Sequence, residues 1–250
     1  MHDRYPTSRP RRIGVARALS KLGLASRTQA AGWVADGLVK VNGRRVRDPE
    51  FPVVEGVDTI EVAGQASARA DRVVLALNKP RGLVTTRADE RERATVYDCL
   101  RDADVGWVAP VGRLDKASEG LLLFSNDPEW SARLAAPGGP DKRYHVQVDC
   151  IPSPAQVALI ESGALVDGER LAAKSAALLR HGARHAWLEI VLDEGRNRQI
   201  RRLLAAFDIG VLRLVRTAIG PLPLGELGKG QWRRLSAAEA AMLDRSGKPL

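Results

Sequence analysis

The chain has 250 residues, 44% of them apolar and 4% aromatic, which supports a full hydrophobic core and excludes wholesale disorder. Its 39 Lys+Arg against 30 Asp+Glu leave a net charge of +9 and an isoelectric point near 10.1, which favours a polyanionic partner. No apolar run approaches the roughly 18 residues of a transmembrane helix, so no membrane partner is expected.

Residues 1–12 mix Pro, Ser and Arg and read as a mobile basic tail, without the apolar stretch of a secretory signal. From Ile13 to Gly23, IGVARALSKLG, apolar residues recur at helical spacing and Gly23 supplies a stop. Ser26 is placed to cap a second helix running to about Asp36. Leu38, Val39 and Val41, then Asn42-Gly43, then Val46 predict a short hairpin with a type I′ turn, and VDTIEVAG predicts another alternating strand. Residues 64–72, GQASARADR, are small and polar and read as a linker. The 13 Lys+Arg and 8 Asp+Glu of residues 1–72 make this part the more basic per residue.

A strand follows in VVLALNKPRGLVTT, interrupted by a turn at Asn78 to Gly82. Leu121–Phe124 reads as a strand buried on both faces, with Gly120 permitting close backbone approach just before it. Tyr144–Val148 and Leu188–Leu192 also read as strands, and Pro154–Ser162 and Arg198–Ala206 as helices. SAAEAAMLDRSGKPL predicts a short helix and then a loose end. No Rossmann glycine signature is present, so the expected class is α+β rather than a βαβ series. Cys99 and Cys150 form no metal or redox pattern and read as isolated buried thiols of a reducing cytoplasm, the expected compartment.

Arg17, Lys21, Ser26, Arg27, Lys40, Asn42, Arg44 and Arg45 cluster in the first 45 residues, and such groups suit phosphate oxygens. The stretch SKLGLASRTQAAGWVADGLVKVNGRRV, with Gly23, Ser26-Arg27 and Gly37 to Gly43, resembles the small RNA-binding module named after small-subunit ribosomal protein four, the S-four domain. The acid usual after Ser-Arg is replaced by Thr28-Gln29. The resemblance spans residues 11–70 and implies binding to structured RNA.

Four further stretches, LNKPRGLVTT, PVGRLDKASEGLLLFSND, KRYHVQV and EGRNRQIRRLLAAF, occur in one order. In that order they resemble the bacterial ribosomal RNA pseudouridine synthases of the small- and large-subunit branch, which carry an S-four domain in front. The resemblance implies a helix-helix-hairpin RNA-binding domain over 11–70, then a mixed, mainly antiparallel-sheet catalytic domain with a central cleft over 72–240. It also implies isomerisation of uridine: the glycosidic bond is cut, the uracil turns in place, and a carbon–carbon bond re-forms. Nothing is oxidised or hydrolysed, so the chemistry requires no cofactor and no metal. Asp115, in the Gly-Arg-Leu-Asp motif, is then the residue acting on the nucleotide, whether on sugar or base or as a proton acceptor. An apolar site alone disfavours a carboxylate's charged form, and by resemblance Arg201 is the cation that offsets this. Tyr144 is to stack on the flipped uracil, worth roughly 1–3 kcal/mol. Arg113 and Arg198 are assigned to RNA phosphates, Lys79 to structure or RNA backbone contact, and His145, His181 and His185 to no chemistry.

The expected partner is ribosomal RNA or a pre-ribosomal particle, the expected state a monomer, and a sequence similarity near the C-terminus favours large-subunit RNA. The alternative is a non-catalytic RNA-binding or ribosome-assembly protein on the same fold, which would lack the acid, the tyrosine or the arginine. A glycoside hydrolase would want a second carboxylate, for which Glu119 is the near candidate.

Overall fold

The structure, a computed structural model, describes residues 12–245 apart from Ala88 and Glu90. The expected N-terminal tail and C-terminal loose end lie outside the described residues, except that Arg12 opens the strand Arg12–Gly14, which pairs with Pro52–Val54. Ile13 is therefore a strand residue, and the first helix starts at Val15. The chain divides into two compact units: one takes the described residues up to Arg72 with Val105–Val108 and Asn126–Pro128, the other Val73–Asp104, Ala109–Ser125 and the described residues from Glu129.

In the smaller unit, helices Val15–Lys21 and Arg27–Ala35 bury Val15, Leu19, Ala30 and Val34 against Val39, Val41, Val53 and Ile60. Ser26 caps the second helix: Gln29 N donates to Ser26 Oγ at 3.1 Å, and Ser26 N donates to Gln29 Oε1 at 3.2 Å. Gln29, the departure from the usual acid, thus completes a capping box without adding charge. Val39–Val41 and Arg44–Arg45 form the hairpin, with Asn42 at φ 50° and Gly43 at φ 76°, both positive as a type I′ turn requires. The supposed linker begins inside the fold, because Gln65–Ala66 pairs with Ile60–Val62.

The larger unit is built on a sheet whose strands lie in the order Ser175–His181, Ala186–Leu192, Lys142–Val148, Val211–Ile219, Glu119–Ser125, Val74–Lys79 and Trp232–Arg234. Every pairing along this path is antiparallel except Val211–Ile219 with Glu119–Ser125, which runs parallel. The unit is α+β with a mixed, mainly antiparallel sheet. The strand from Val74 continues through Asn78 and Lys79 before its turn and does not resume, Val84 making only an isolated bridge to Thr95.

Leu121, Leu122, Leu123 and Phe124 are fully buried, at about 1.5–3 kcal/mol for each such side chain, so the strand leaving the Asp115 loop is a rigid support. Helix Pro128–Ala135 covers one face of this region with Trp130 and Leu134, joined by Ala240 and Leu243 of helix Ala237–Arg245. Along Lys142–Val148, Lys142, Tyr144, Val146 and Val148 are buried, while Arg143, His145 and Gln147 face a more open side. A bulge beside Tyr144 leaves Lys142 opposite Ile219 and Tyr144 opposite Arg216. Among the described residues no helix is long and apolar enough to cross a membrane.

Candidate active site

A cleft of about 870 Å³, its open mouth included, lies in the larger unit. Its walls include Leu123, Leu134, Ile200, Leu214 and Ile219, with Tyr144 among them. Among the described residues Asp115 is the one carboxylate lining it, amid Arg113, Lys142, Arg196, Arg198, Arg201 and Arg216. The fold therefore brings together five residues singled out in the sequence: Asp115, Tyr144, Arg201, Arg113 and Arg198. Glu119 does not join them. Its carboxylate is tied to Arg213 at 2.7 Å and Lys229 at 3.1 Å, and these hydrogen bonds hold it below the usual range for a glutamate.

The loop carrying Asp115 is held through its backbone. Thr85 Oγ1 donates to Leu114 O at 2.7 Å and accepts from Leu114 N at 3.3 Å. Lys79 Nζ donates to Asp115 O at 3.1 Å and Ser118 O at 2.8 Å, and Gly82 N donates to Lys116 O at 2.7 Å. Ala117 O accepts from Arg201 Nη2 at 3.4 Å. Every carbonyl from Leu114 to Ser118 is thus an acceptor, which fixes the main chain and leaves the Asp115 side chain about one-third exposed to the cleft. The NKPRGLVTT stretch supplies three of these donors. Lys79 has no exposed surface, so its role is structural and not RNA contact.

The direct ion pair to Asp115 comes from Arg198, at 3.8 Å, and not from Arg201 as expected. The reason is local geometry. Arg198 is not helical but caps helix Gln199–Ala205 from the left-handed region, at φ 48°, which turns its side chain away from the helical row. Arg201 is anchored by Nη1 to Val211 O at 3.1 Å and by Nη2 to Ala117 O, with Nε buried and without a partner among the described residues. Burial lowers the proton affinity of its guanidinium, Arg198 adds repulsion, and the charge of Asp115 opposes both.

Two cations missed by sequence reading lie in the same cleft. Lys142 Nζ and Arg216 Nη2 are buried without a hydrogen-bond partner among the described residues. Burial, then the neighbouring Arg216, lower the Lys142 pKa, against the pull of Asp141 and Asp193. One signal was available: Lys142 stands two residues before Tyr144, hence on the same strand face. Among the described residues no three His, Cys, Asp or Glu side chains gather into a metal-binding cluster.

In the smaller unit the expected RNA-facing residues separate into two groups. Ser26 is occupied as a helix cap. Asn42 donates to Asp58 at 2.8 Å and accepts from Thr59 N at 2.9 Å, and Lys21 is paired with Glu55 at 2.6 Å. Arg17, Arg27, Arg44 and Arg45 are exposed and Lys40 is partly so. His181 and His185 sit exposed at the tip of a hairpin, and His145 lies 3.5 Å from Glu189 on the open face of the sheet.

Comparison with known proteins agrees with this geometry. Residues 73–206 match the family model described as RNA pseudouridylate synthase, and residues 15–58 match the S4 domain. An uncharacterized RNA pseudouridine synthase of Aquifex aeolicus is 34% identical over 233 residues, covering 92% of this chain and 93% of that protein. Ribosomal large subunit pseudouridine synthase B of Bacillus subtilis is 33% identical, covering 91% and 93% respectively. A crystal structure of a pseudouridylate synthase superposes with a TM-score of 0.64 at 26% identity, covering 92% of this chain and 99% of that one. A chain that matches the family over most of its larger unit, and whose relatives align along nearly its whole length, belongs to the RNA pseudouridylate synthase family, as an RNA pseudouridine synthase with an S4 domain in front.

Proposed function

We propose that this enzyme isomerises a specific uridine of ribosomal RNA, in the large subunit, with Asp115 acting on a nucleotide flipped out of its stack. The observation that carries this reading is the setting of Asp115: among the described residues the one carboxylate of a cationic cleft, on a main chain held at every carbonyl around it. Tyr144, buried in the wall, offers its ring to the uracil. Arg198 pairs with Asp115 at 3.8 Å and Arg201 lines the same cleft, and the exposed Arg113 and Arg198 also serve the flanking phosphates. The name of the Bacillus subtilis relative supports the large subunit. The exposed arginines of the smaller unit support RNA docking there, and a cytoplasmic monomer fits such a task.

The chemistry breaks the C1′–N1 bond, turns the base and joins C1′ to C5. Apolar walls limit water, which would otherwise turn isomerisation into hydrolysis. Asp115→Asn is expected to abolish pseudouridine formation while RNA affinity stays within threefold. Retained turnover would overturn the role of Asp115. Pseudouridine mapping in cells with and without the gene is expected to show loss of a modification in large-subunit RNA. A loss confined to other RNA would overturn the substrate assignment.

A further inference from the structure

Lys142 is 6% exposed and Arg216 5%, both line the cleft, and each has a nitrogen without a partner among the described residues. Arg216 is fixed by Nε, which donates to Leu121 O at 2.7 Å, leaving Nη2 unused. Among the described residues Lys142 has no ion pair; Asp141, next to it in sequence, is engaged by Lys174 at 2.6 Å. Two buried cations that repel one another and hold no carboxylate are costly to keep. Such a cost persists where function requires the charges.

Their position identifies the ligand. Lys142 precedes Tyr144 by two residues on one strand face, and Arg216 is the register partner of Tyr144 on the next strand. Tyr144, Lys142 and Arg216 line one cleft, so a base stacked on Tyr144 shares that cleft with both cations. The exposed Arg113 and Arg198, assigned above to the flanking phosphates, also line the cleft. What travels deepest is the flipped base, whose hydrogen-bond acceptors are the uracil oxygens.

We propose that Lys142 and Arg216 form a buried cation subsite that binds the oxygen edge of the target uracil and stabilises the uracil anion released when the C1′–N1 bond breaks. This rests on the uridine isomerisation proposed above. When that bond breaks, its electron pair leaves with the base and spreads over N1, O2 and O4. C5 then supplies the pair for the new C1′–C5 bond, the C5 proton is lost, and N1 takes up a proton. The balance closes without a co-reactant. The uracil is neutral in the substrate and anionic after cleavage, so the two cations bind the later state more strongly, which accelerates the step.

The test is Lys142→Met, which keeps the length and removes the charge, assayed on total RNA from a strain lacking the gene. The single-turnover rate is expected to fall by roughly 100- to 1,000-fold, the size of effect seen when one donor to a developing anion is removed. RNA affinity is expected to stay within threefold, and the melting temperature to hold or rise because an uncompensated buried charge is gone. A rate within threefold of wild type would overturn the subsite. A rate loss accompanied by a lower melting temperature would overturn it too, assigning Lys142 a structural role. Wild-type protein that makes no pseudouridine in that RNA would instead overturn the underlying reading of the reaction.

Discussion

The ammonium of Lys79 donates to the backbone carbonyl of Asp115 at 3.1 Å, so a side chain at the end of one strand fixes the peptide that carries the cleft's carboxylate. It also donates to Pro80 O at 3.1 Å and Ser118 O at 2.8 Å. Lys79→Met keeps the volume and removes all three bonds. A buried carbonyl left without its donor costs about 1–3 kcal/mol. The variant is expected to melt several degrees lower and to turn over at least tenfold more slowly, with RNA affinity within threefold. Melting curves and single-turnover rates check this, and a wild-type rate would show that the loop is held without Lys79.

Lys79 also predicts a pH dependence. Burial pushes its pKa down from 10.5 to about 8, with Asp115 and Glu119 opposing the fall. The folded state therefore releases this proton before the unfolded state does. Between about pH 8 and 10.5 the unfolded chain binds more protons, so this group's contribution to stability rises with pH in that window. Activity moves the other way, since a neutral amine has one hydrogen fewer to share among three carbonyls. The wild-type rate is expected to fall above about pH 8, a limb that Lys79→Met lacks. The melting temperature of wild type relative to that variant is expected to increase over the same range. Paired pH–rate and pH–melting profiles decide both signs.

The two arginines near Asp115 are expected to separate by experiment. The Arg198 pair is half-exposed at 3.8 Å, a geometry whose contribution to stability is about 0–1 kcal/mol. Arg198→Met is expected to leave the melting temperature nearly unchanged and to weaken RNA binding severalfold. Arg201→Met removes donors to Val211 O and Ala117 O, and is expected to lower both the melting temperature and the rate, the latter by 100-fold or more. Equal effects from the two variants would contradict this division.

Parts of this molecule were legible where local rules and burial agree. Helix Pro154–Ser162 was readable to the residue because Ser153 caps it, Pro154 suits its first position and Gly163 ends it at φ 77°. The apolar run Leu121–Phe124 was readable because both faces are buried. Strand Val211–Ile219 was not, because it carries arginines toward both sides: Arg213 reaches Glu119, and Arg216 lines the cleft. The motifs placed Asp115, Tyr144 and Arg201, but the hold on the Asp115 main chain depends on Thr85, Gly82 and Lys79, about 30 residues away. The placing of Arg216 opposite Tyr144, in the cleft that Lys142 also lines, depends on a register between distant strands, which no local pattern encodes.

For the smaller unit, Arg44 and Arg45 are exposed on a hairpin whose turn is fixed by Asn42 and Gly43. Removing each phosphate contact lowers the salt slope of binding by about 0.7–0.9. Arg44→Gln with Arg45→Gln is expected to weaken RNA binding, flatten its dependence on salt by one to two units of slope, and leave the melting temperature within about 1 °C. Affinity measured across a salt series checks this, and an unchanged slope would remove these two residues from the RNA interface.

Gly120 links the Asp115 loop to the cation subsite. It sits at φ +100° and pairs in parallel with Arg216, and a Cβ there would run into the Arg216 backbone. Gly120→Ala must either absorb about 1–3 kcal/mol of backbone strain or open the contact. Opening it moves Arg216 away from Tyr144 and slackens the chain just after Ser118. The variant is therefore expected to lose stability and rate together, whereas Lys142→Met loses rate alone. Gly43→Ala, at φ 76° with open space around its Cβ position, is the control: it carries a comparable backbone penalty in the other unit and is expected to leave the catalytic rate intact once folded. Melting temperatures with single-turnover rates for the three variants distinguish strain in general from displacement of Arg216 in particular.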